Sequence, residues 1–343
     1  VFTNLKKNGT IAVYSALVLS TSHAYAVNNN LGIMEKASQL QSQGNLVEAE
    51  KLYKQLLASN AGATLSMEQA VIMTELAGLL EIRGKNIEAA GYYQQAVNAS
   101  EKINDRVPPN LKACMQADAL SGWANALMNL GKFEEASLKV NEALTLTGNF
   151  LDIDSKIEMA SALLTLSQIR LQQERWKECI DASQKSLNII KAIGVFENSG
   201  ELNLKAFTLL ADASARNKQI DAALNYGQAA LEIAKKHPGS NGQDLAGAYR
   251  AMSTVYFLNN QLADAKFCSS KALSLVQSGL GINHPAQLSD LNSLALIDEK
   301  QNNFSEAKKF FNQALLIIKI NKGNDPHMVA MIENNLKKIG ARK

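Results

Sequence analysis

The chain has 343 residues but only five prolines, three cysteines and 6% aromatic residues. Each scarcity excludes something. Three separated cysteines, Cys114, Cys179 and Cys268, cannot build a disulfide framework, and no C-x-x-C spacing is present for redox or zinc chemistry. So few prolines leave long stretches free to be helical. Charge of one sign is also missing: 35 Lys and Arg face 32 Asp and Glu, a net +3. That balance gives no electrostatic case for nucleic acid or for an anionic membrane. No apolar run reaches the ~20 residues that a helix needs to span a bilayer.

The longest apolar run is short and N-terminal, from Ile11 to Ser20. Lys6-Lys7 precede it and Ala24-Tyr25-Ala26 follows, the order of a secretory signal peptide with a small-x-small cleavage site. Residues 1–26 are therefore expected to be removed, leaving residues 27–343 as an exported, periplasmic or secreted protein without a membrane span. Loss of Lys6 and Lys7 leaves 33 basic against 32 acidic residues, or +1.

What is abundant is self-similarity. Asn302-Asn303-Phe304-Ser305-Glu306-Ala307-Lys308-Lys309-Phe310-Phe311-Asn312-Gln313-Ala314-Leu315 is the clearest copy of a pattern that returns seven times, about every 40 to 47 residues. Its frame is large-x2-Ala-x3-large-x2-Ala. Other copies are Leu46-x2-Ala49-x3-Tyr53, Asn86-x2-Ala89-x3-Tyr93-x2-Ala96 and Phe133-x2-Ala136-x3-Val140-x2-Ala143. Trp176-x2-Cys179-x3-Ser183-x2-Ser186, Ile220-x2-Ala223-x3-Gly227-x2-Ala230 and Leu262-x2-Ala265-x3-Ser269-x2-Ala272 complete the series. Spacings of three and four place these side chains on one helix stripe. Each copy follows a first helix of the form large-x2-large-small, such as Met73-x2-Leu76-Ala77 or Phe207-x2-Leu210-Ala211. Small residues on both helices let the axes approach closely, and large ones fill the adjacent hollows.

Between the two helices stand Gly44, Gly84 and Gly131, then Asn260 and Asn302, suited to the left-handed residue that a tight reversal uses. Glu174 and Lys218 hold the same place in two further copies, and those two turns are expected to be less sharply defined.

This pattern resembles the tetratricopeptide repeat (TPR), whose signature is W-x2-L-G-x2-Y…A-x3-F…P. The resemblance spans roughly residues 30 to 340. Most closing prolines are missing and the period exceeds the usual 34 residues. Gly281-Ile282-Asn283-His284-Pro285 ahead of the seventh copy resembles the longer kinesin-light-chain-like subtype. The resemblance implies an all-α fold, a right-handed α-α superhelix of about seven helix pairs. Repeats would start near 30, 70, 117, 160, 204, 246 and 288. Residues 326–339 would form a C-terminal capping helix with Lys337 and Lys338 in its last turn.

A repeat array implies binding rather than catalysis. The sequence contains no G-x-S-x-G, P-loop, H-E-x-x-H or G-x-G-x-x-G motif. No catalytic residue, cofactor or metal site is expected. His237-Pro238, His284-Pro285 and Pro326-His327 fall at equivalent inter-repeat turns and read as turn residues. Trp123 and Trp176 occupy core slots of their repeats.

The family's ligand-facing positions, transferred to this chain, mark Asp118, Ser121, Asn125, Met128 and Asn129 in the third unit and Ser161, Leu164, Gln168, Leu171 and Gln172 in the fourth. They mark Lys205, Thr208, Asp212, Ala215 and Arg216 in the fifth, and Gly247, Arg250, Thr254, Phe257 and Leu258 in the sixth. The seventh offers Ser289, Asn292, Leu296, Glu299 and Lys300. This is not the Lys/Asn clamp of TPRs that hold chaperone tails. Amide side chains can pair with an extended peptide backbone, and the apolar members can form pockets. The expected partner is a protein or peptide, with Asn125, Gln168, Arg250 and Phe257 contributing and no nucleic acid involved. Self-association stays open, as do two alternative roles, a peptide-sensing regulator and an accessory subunit of an envelope or secreted enzyme or assembly.

Overall fold

The computed structural model describes residues 24–59, 67–102, 107–194, 199–236, 242–320 and 326–340, with side chains from 30 and 329 onward in the two terminal helices. Lys6, Lys7 and the apolar run of the expected leader lie outside the described residues. Among those described there are fifteen α-helices and no strand. They are α1 (Ala24–Ser42), α2 (Leu46–Ser59), α3 (Met67–Ile82), α4 (Asn86–Glu101), α5 (Pro109–Asn129), α6 (Phe133–Gly148), α7 (Ile153–Gln172) and α8 (Trp176–Ile193). There follow α9 (Ser199–Arg216), α10 (Ile220–Lys236), α11 (Gln243–Leu258), α12 (Leu262–Leu280), α13 (Leu288–Lys300), α14 (Phe304–Ile320) and α15 (Pro326–Gly340). A short 3-10 turn, Pro285–Gln287, leads into α13. This is an all-α solenoid of helix pairs. None of these helices is long and apolar enough to cross a membrane.

Three residues separate the two helices of every pair, and one of them is always left-handed. Gly44, Gly84 and Gly131 have φ of 80°, 72° and 76°, and Asn260 and Asn302 have 60° and 64°. Glu174 and Lys218 adopt the same conformation at 59° and 63°. The expectation of two looser turns is thus corrected. Closure is dictated by the last carbonyls of the first helix, which need donors, and not by the identity of the turn residue. In the fifth pair the Gln219 amide donates to Ser214 O at 2.8 Å, as the Lys85 amide does to Leu80 O at 2.8 Å in the second.

The repeat frame is the core. Ala49, Ala89, Ala136, Cys179, Ala223, Ala265 and Ala307 are all fully buried. The large slot behind them is filled in more than one way. Tyr53, Tyr93 and Phe311 fill it with a ring, whereas Gly227 leaves it open and Met252 of the next pair enters: a Cβ at Gly227 would lie 2.2 Å from Met252 Sδ. In the sixth pair a hydroxyl contact replaces the ring, Ser253 and Ser269 Oγ lying 2.6 Å apart.

The chain divides into two compact units, residues 1–174 with 185–195 and residues 175–184 with 196–343.

Candidate partner-binding faces

In the first unit, the ligand-facing positions of α5 and α7 are only partly reachable. Gln168 and Leu171 are half-buried and Gln172 is exposed. Exposed Asn129 donates from Nδ2 to Asn86 Oδ1 at 3.4 Å, tying two neighbouring turns together. Asn125 is half-buried, and its Oδ1 is fully buried without a hydrogen-bond partner. Leu164, expected to face a partner, is instead fully buried, and Met128 and Ser121 are nearly so. The reason is close packing: α5 and α7 lie side by side, which seals the side chains between them.

This face is acidic. Tyr93 Oη donates to Glu81 Oε2 at 2.8 Å. Burial and then the Glu81 carboxylate push the Tyr93 hydroxyl well above its ordinary range. Half-buried Glu158, one turn beyond Asp154 on α7, has its carboxyl pushed well above the usual range by burial and by the Asp118 and Asp154 carboxylates. Glu158 was missed at the level of sequence. The available signal was that Asp118, Asp154 and Glu158 share one side of two packed helices with no basic residue at the ligand-facing positions.

In the second unit, the charged residues expected to reach a partner are already engaged. Arg216 Nε donates to Asp212 Oδ1 at 2.5 Å, and its guanidinium lies 5.3 Å from the ring centre of Trp176. Arg250 donates from Nε and Nη2 to the two oxygens of Asp290, at 2.7 and 2.8 Å, and from Nη2 to Ala286 O at 3.2 Å. A bidentate pair with a buried carboxylate thus fixes Arg250, whose side chain stays 33% exposed. Lys205 is half-buried. Lys300 Nζ stands 4.6 Å above the Phe257 ring and donates to Phe257 O. Thr254 Oγ1 donates to Arg250 O at 3.3 Å. What remains presented is the half-buried ring of Phe257, Leu258 at 43% exposure, and Asn292, whose Oδ1 is buried without a partner.

Asp290 and Asp298 were also missed, although the pattern marks Asp290. Asp290 holds the slot that Ile72, Ala119, Ala162, Ala206 and Ala248 occupy in earlier repeats, whereas the slot of Asp298 is mixed, with Leu80, Leu127, Arg170, Ser214 and Tyr256. Both aspartates are buried. Burial raises the Asp290 carboxyl despite the opposing effect of Arg250.

The remaining candidates resolve simply. Within the described residues, His284 Nδ1 accepts the Ala286 amide at 3.1 Å and closes the 3-10 turn, and burial lowers its pKa. The side chains of His237 and His327 lie outside the described residues. Trp123 and Trp176 are half-buried core edges rather than sealed slots, and Lys139 Nζ lies 4.4 Å from the Trp123 ring centre. All three cysteines are buried.

The tetratricopeptide repeat family model matches residues 244–318, the sixth and seventh pairs. That stretch consists of tetratricopeptide repeats, and the other pairs repeat its architecture. No curated protein matches the chain. Among solved structures, aspartyl phosphate phosphatase F from Bacillus subtilis aligns at 12% identity over 90% of this chain and 76% of its own, with a TM-score of 0.66. A Rap protein complexed with competence and sporulation factor aligns at 12% identity over 91% and 86%, TM-score 0.65. A STAND signal-transduction ATPase with a tetratricopeptide repeat sensor, from Pyrococcus horikoshii, aligns at 18% identity over 98% of this chain and half of its own, TM-score 0.54. At these identities the likeness is one of fold.

Proposed function

We propose that the chain is a non-enzymatic scaffold that binds a protein or peptide segment on the inner sides of its first helices, and that it does so outside the cytoplasm after loss of residues 1–26. The observation that carries the binding reading is a division of labour along the repeat. The Ala and Cys slots are sealed, so the recurring letters hold the stack together, while Gln168, Gln172, Thr254, Phe257 and Leu258 between them stay reachable. The amides of the first unit suit an extended backbone, and the hydroxyl and apolar side chains of the second suit a backbone with an apolar anchor. A peptide-responsive regulator is the specific form that the fold neighbours favour, since they include a Rap protein complexed with competence and sporulation factor and a Rap conjugation gene regulator in complex with a peptide.

The test is site-specific photocrosslinking in the native host, with the probe at Gln172 or Phe257 and, as control, at exposed Leu138 of α6. A partner captured from the first two positions and not from the third supports the reading. Equal capture from all three, or none, overturns it. Export is tested separately by sequencing the N-terminus of the native protein, which should begin at Val27.

A further inference from the structure

The second unit carries a polar seam. Pair five and pair six share one apolar cluster, in which Leu204, Ala230 and Leu231 meet Ala248, Met252 and Cys268. Pair seven and α15 form another, built on Leu291, Ala295, Phe311, Ile317, Ile332 and Ile339, which pair six joins through the half-buried Leu273. At the junction of pairs six and seven, α13 carries two buried aspartates, and Asp290 stands at a position that is apolar in the five preceding repeats. Each reaches back to a partly exposed cation of pair six. Asp290, 1% exposed, binds Arg250 of α11, itself 33% exposed; fully buried Asp298 accepts from Lys266 Nζ of α12 at 2.6 Å. The second oxygen of Asp298 is buried with no partner. Gln287, also fully buried, ties the connection to α12: it accepts from Gln277 Nε2 at 3.1 Å and donates to Gly281 O at 2.8 Å.

An ion pair of this kind holds two elements in register, yet contributes little net stability, because desolvation offsets most of the attraction. Losing one partner is a different matter, since it leaves a charge buried alone. A junction made this way is specific when closed and weak compared with an apolar one. We propose that pair seven together with α15 opens as a separate cooperative unit, with residues 281–287 as its hinge and the Arg250–Asp290 and Lys266–Asp298 pairs as its latch. Opening at the seam breaks few apolar contacts, whereas opening between pairs five and six would expose the shared cluster.

Native-state hydrogen exchange on the full chain tests this. In the wild type, the slowest amides of α14 should be protected at least ten-fold less than those of α10, and should exchange together with those of α13. The variant Arg250→Ala/Lys266→Ala should lower protection in α13 and α14 a further ten-fold or more, while α10 stays within two-fold. The apolar replacement Arg250→Met/Asp290→Leu should raise protection in α13 and α14. Equal wild-type protection of α10 and α14, or a uniform change throughout the second unit in the variants, would overturn the proposal. Should a variant fail to fold, the wild-type comparison decides by itself.

Discussion

Tyr93 of α4 reaches so far across the pair boundary that a methyl group on Gly122 of α5 would come within 2.3 Å of its ring. The glycine is helical, so its role is space and not backbone freedom. Gly122→Ala is expected to destabilise the first unit by about 1–3 kcal/mol, the range for overpacking a close-packed site. In a Tyr93→Leu background, which removes the ring, the same substitution should cost much less. Urea denaturation of the two single variants and the double variant measures the difference, and additive effects would show that the ring is not the obstacle.

Glu174 and Lys218 bear side chains in a conformation that disfavours them. Glu174→Gly and Lys218→Gly should each stabilise the fold by about 1 kcal/mol, since the left-handed region costs a side-chain-bearing residue roughly 1–2 kcal/mol and glycine almost nothing there. Gly84→Ala should destabilise by a similar amount. A lower urea midpoint for Glu174→Gly would mean that its side chain makes a compensating contact.

Burial pushes the Cys114 thiol up to about 12 and the Cys268 thiol up to about 11. At pH 8 both are protonated, and only the thiolate attacks a disulfide reagent. Native protein should therefore release less than about a tenth of the thionitrobenzoate that denatured protein releases in the same few minutes. Rapid labelling at pH 8 in the folded state would contradict the burial of these thiols.

The Glu158 carboxyl is raised in the folded state, so ionising it opposes folding. The sign follows from proton uptake: between the unfolded and the folded value the folded chain binds more protons, and stability falls as pH rises. The penalty is fully present above the folded value and fades as pH falls toward the ordinary glutamate range near 4.5. Glu158→Gln should raise the urea midpoint at pH 7, and its advantage over wild type should shrink as pH is lowered to about 4.5. An advantage that does not vary with pH would point to packing instead of charge.

The legibility of the fold follows from its locality. A helix pair closed by a three-residue turn is decided within about 35 residues, and its code of Ala49, Ala89, Ala136 and their counterparts repeats until it is unmistakable. The candidate faces depend on more than one repeat. Leu164 occupies a ligand-facing position by count, but it is fully buried where α7 packs beside α5. Arg250 also sits at such a position, yet its guanidinium is fixed by Asp290, 40 residues away. No single-repeat pattern reports what a neighbouring repeat does with a side chain.

The sequence by itself determined the helix pairs, the places of their turns and the sealed small-residue slots, because each depends on spacing along one chain segment and on the size of a few residues. Only the tertiary structure decided which inner positions remain reachable, that Met252 fills the hollow at Gly227, and that two aspartates interrupt the core between pairs six and seven. Those outcomes depend on the distance between helices far apart in sequence. There a buried charge is set by its partner and a cavity by its neighbour.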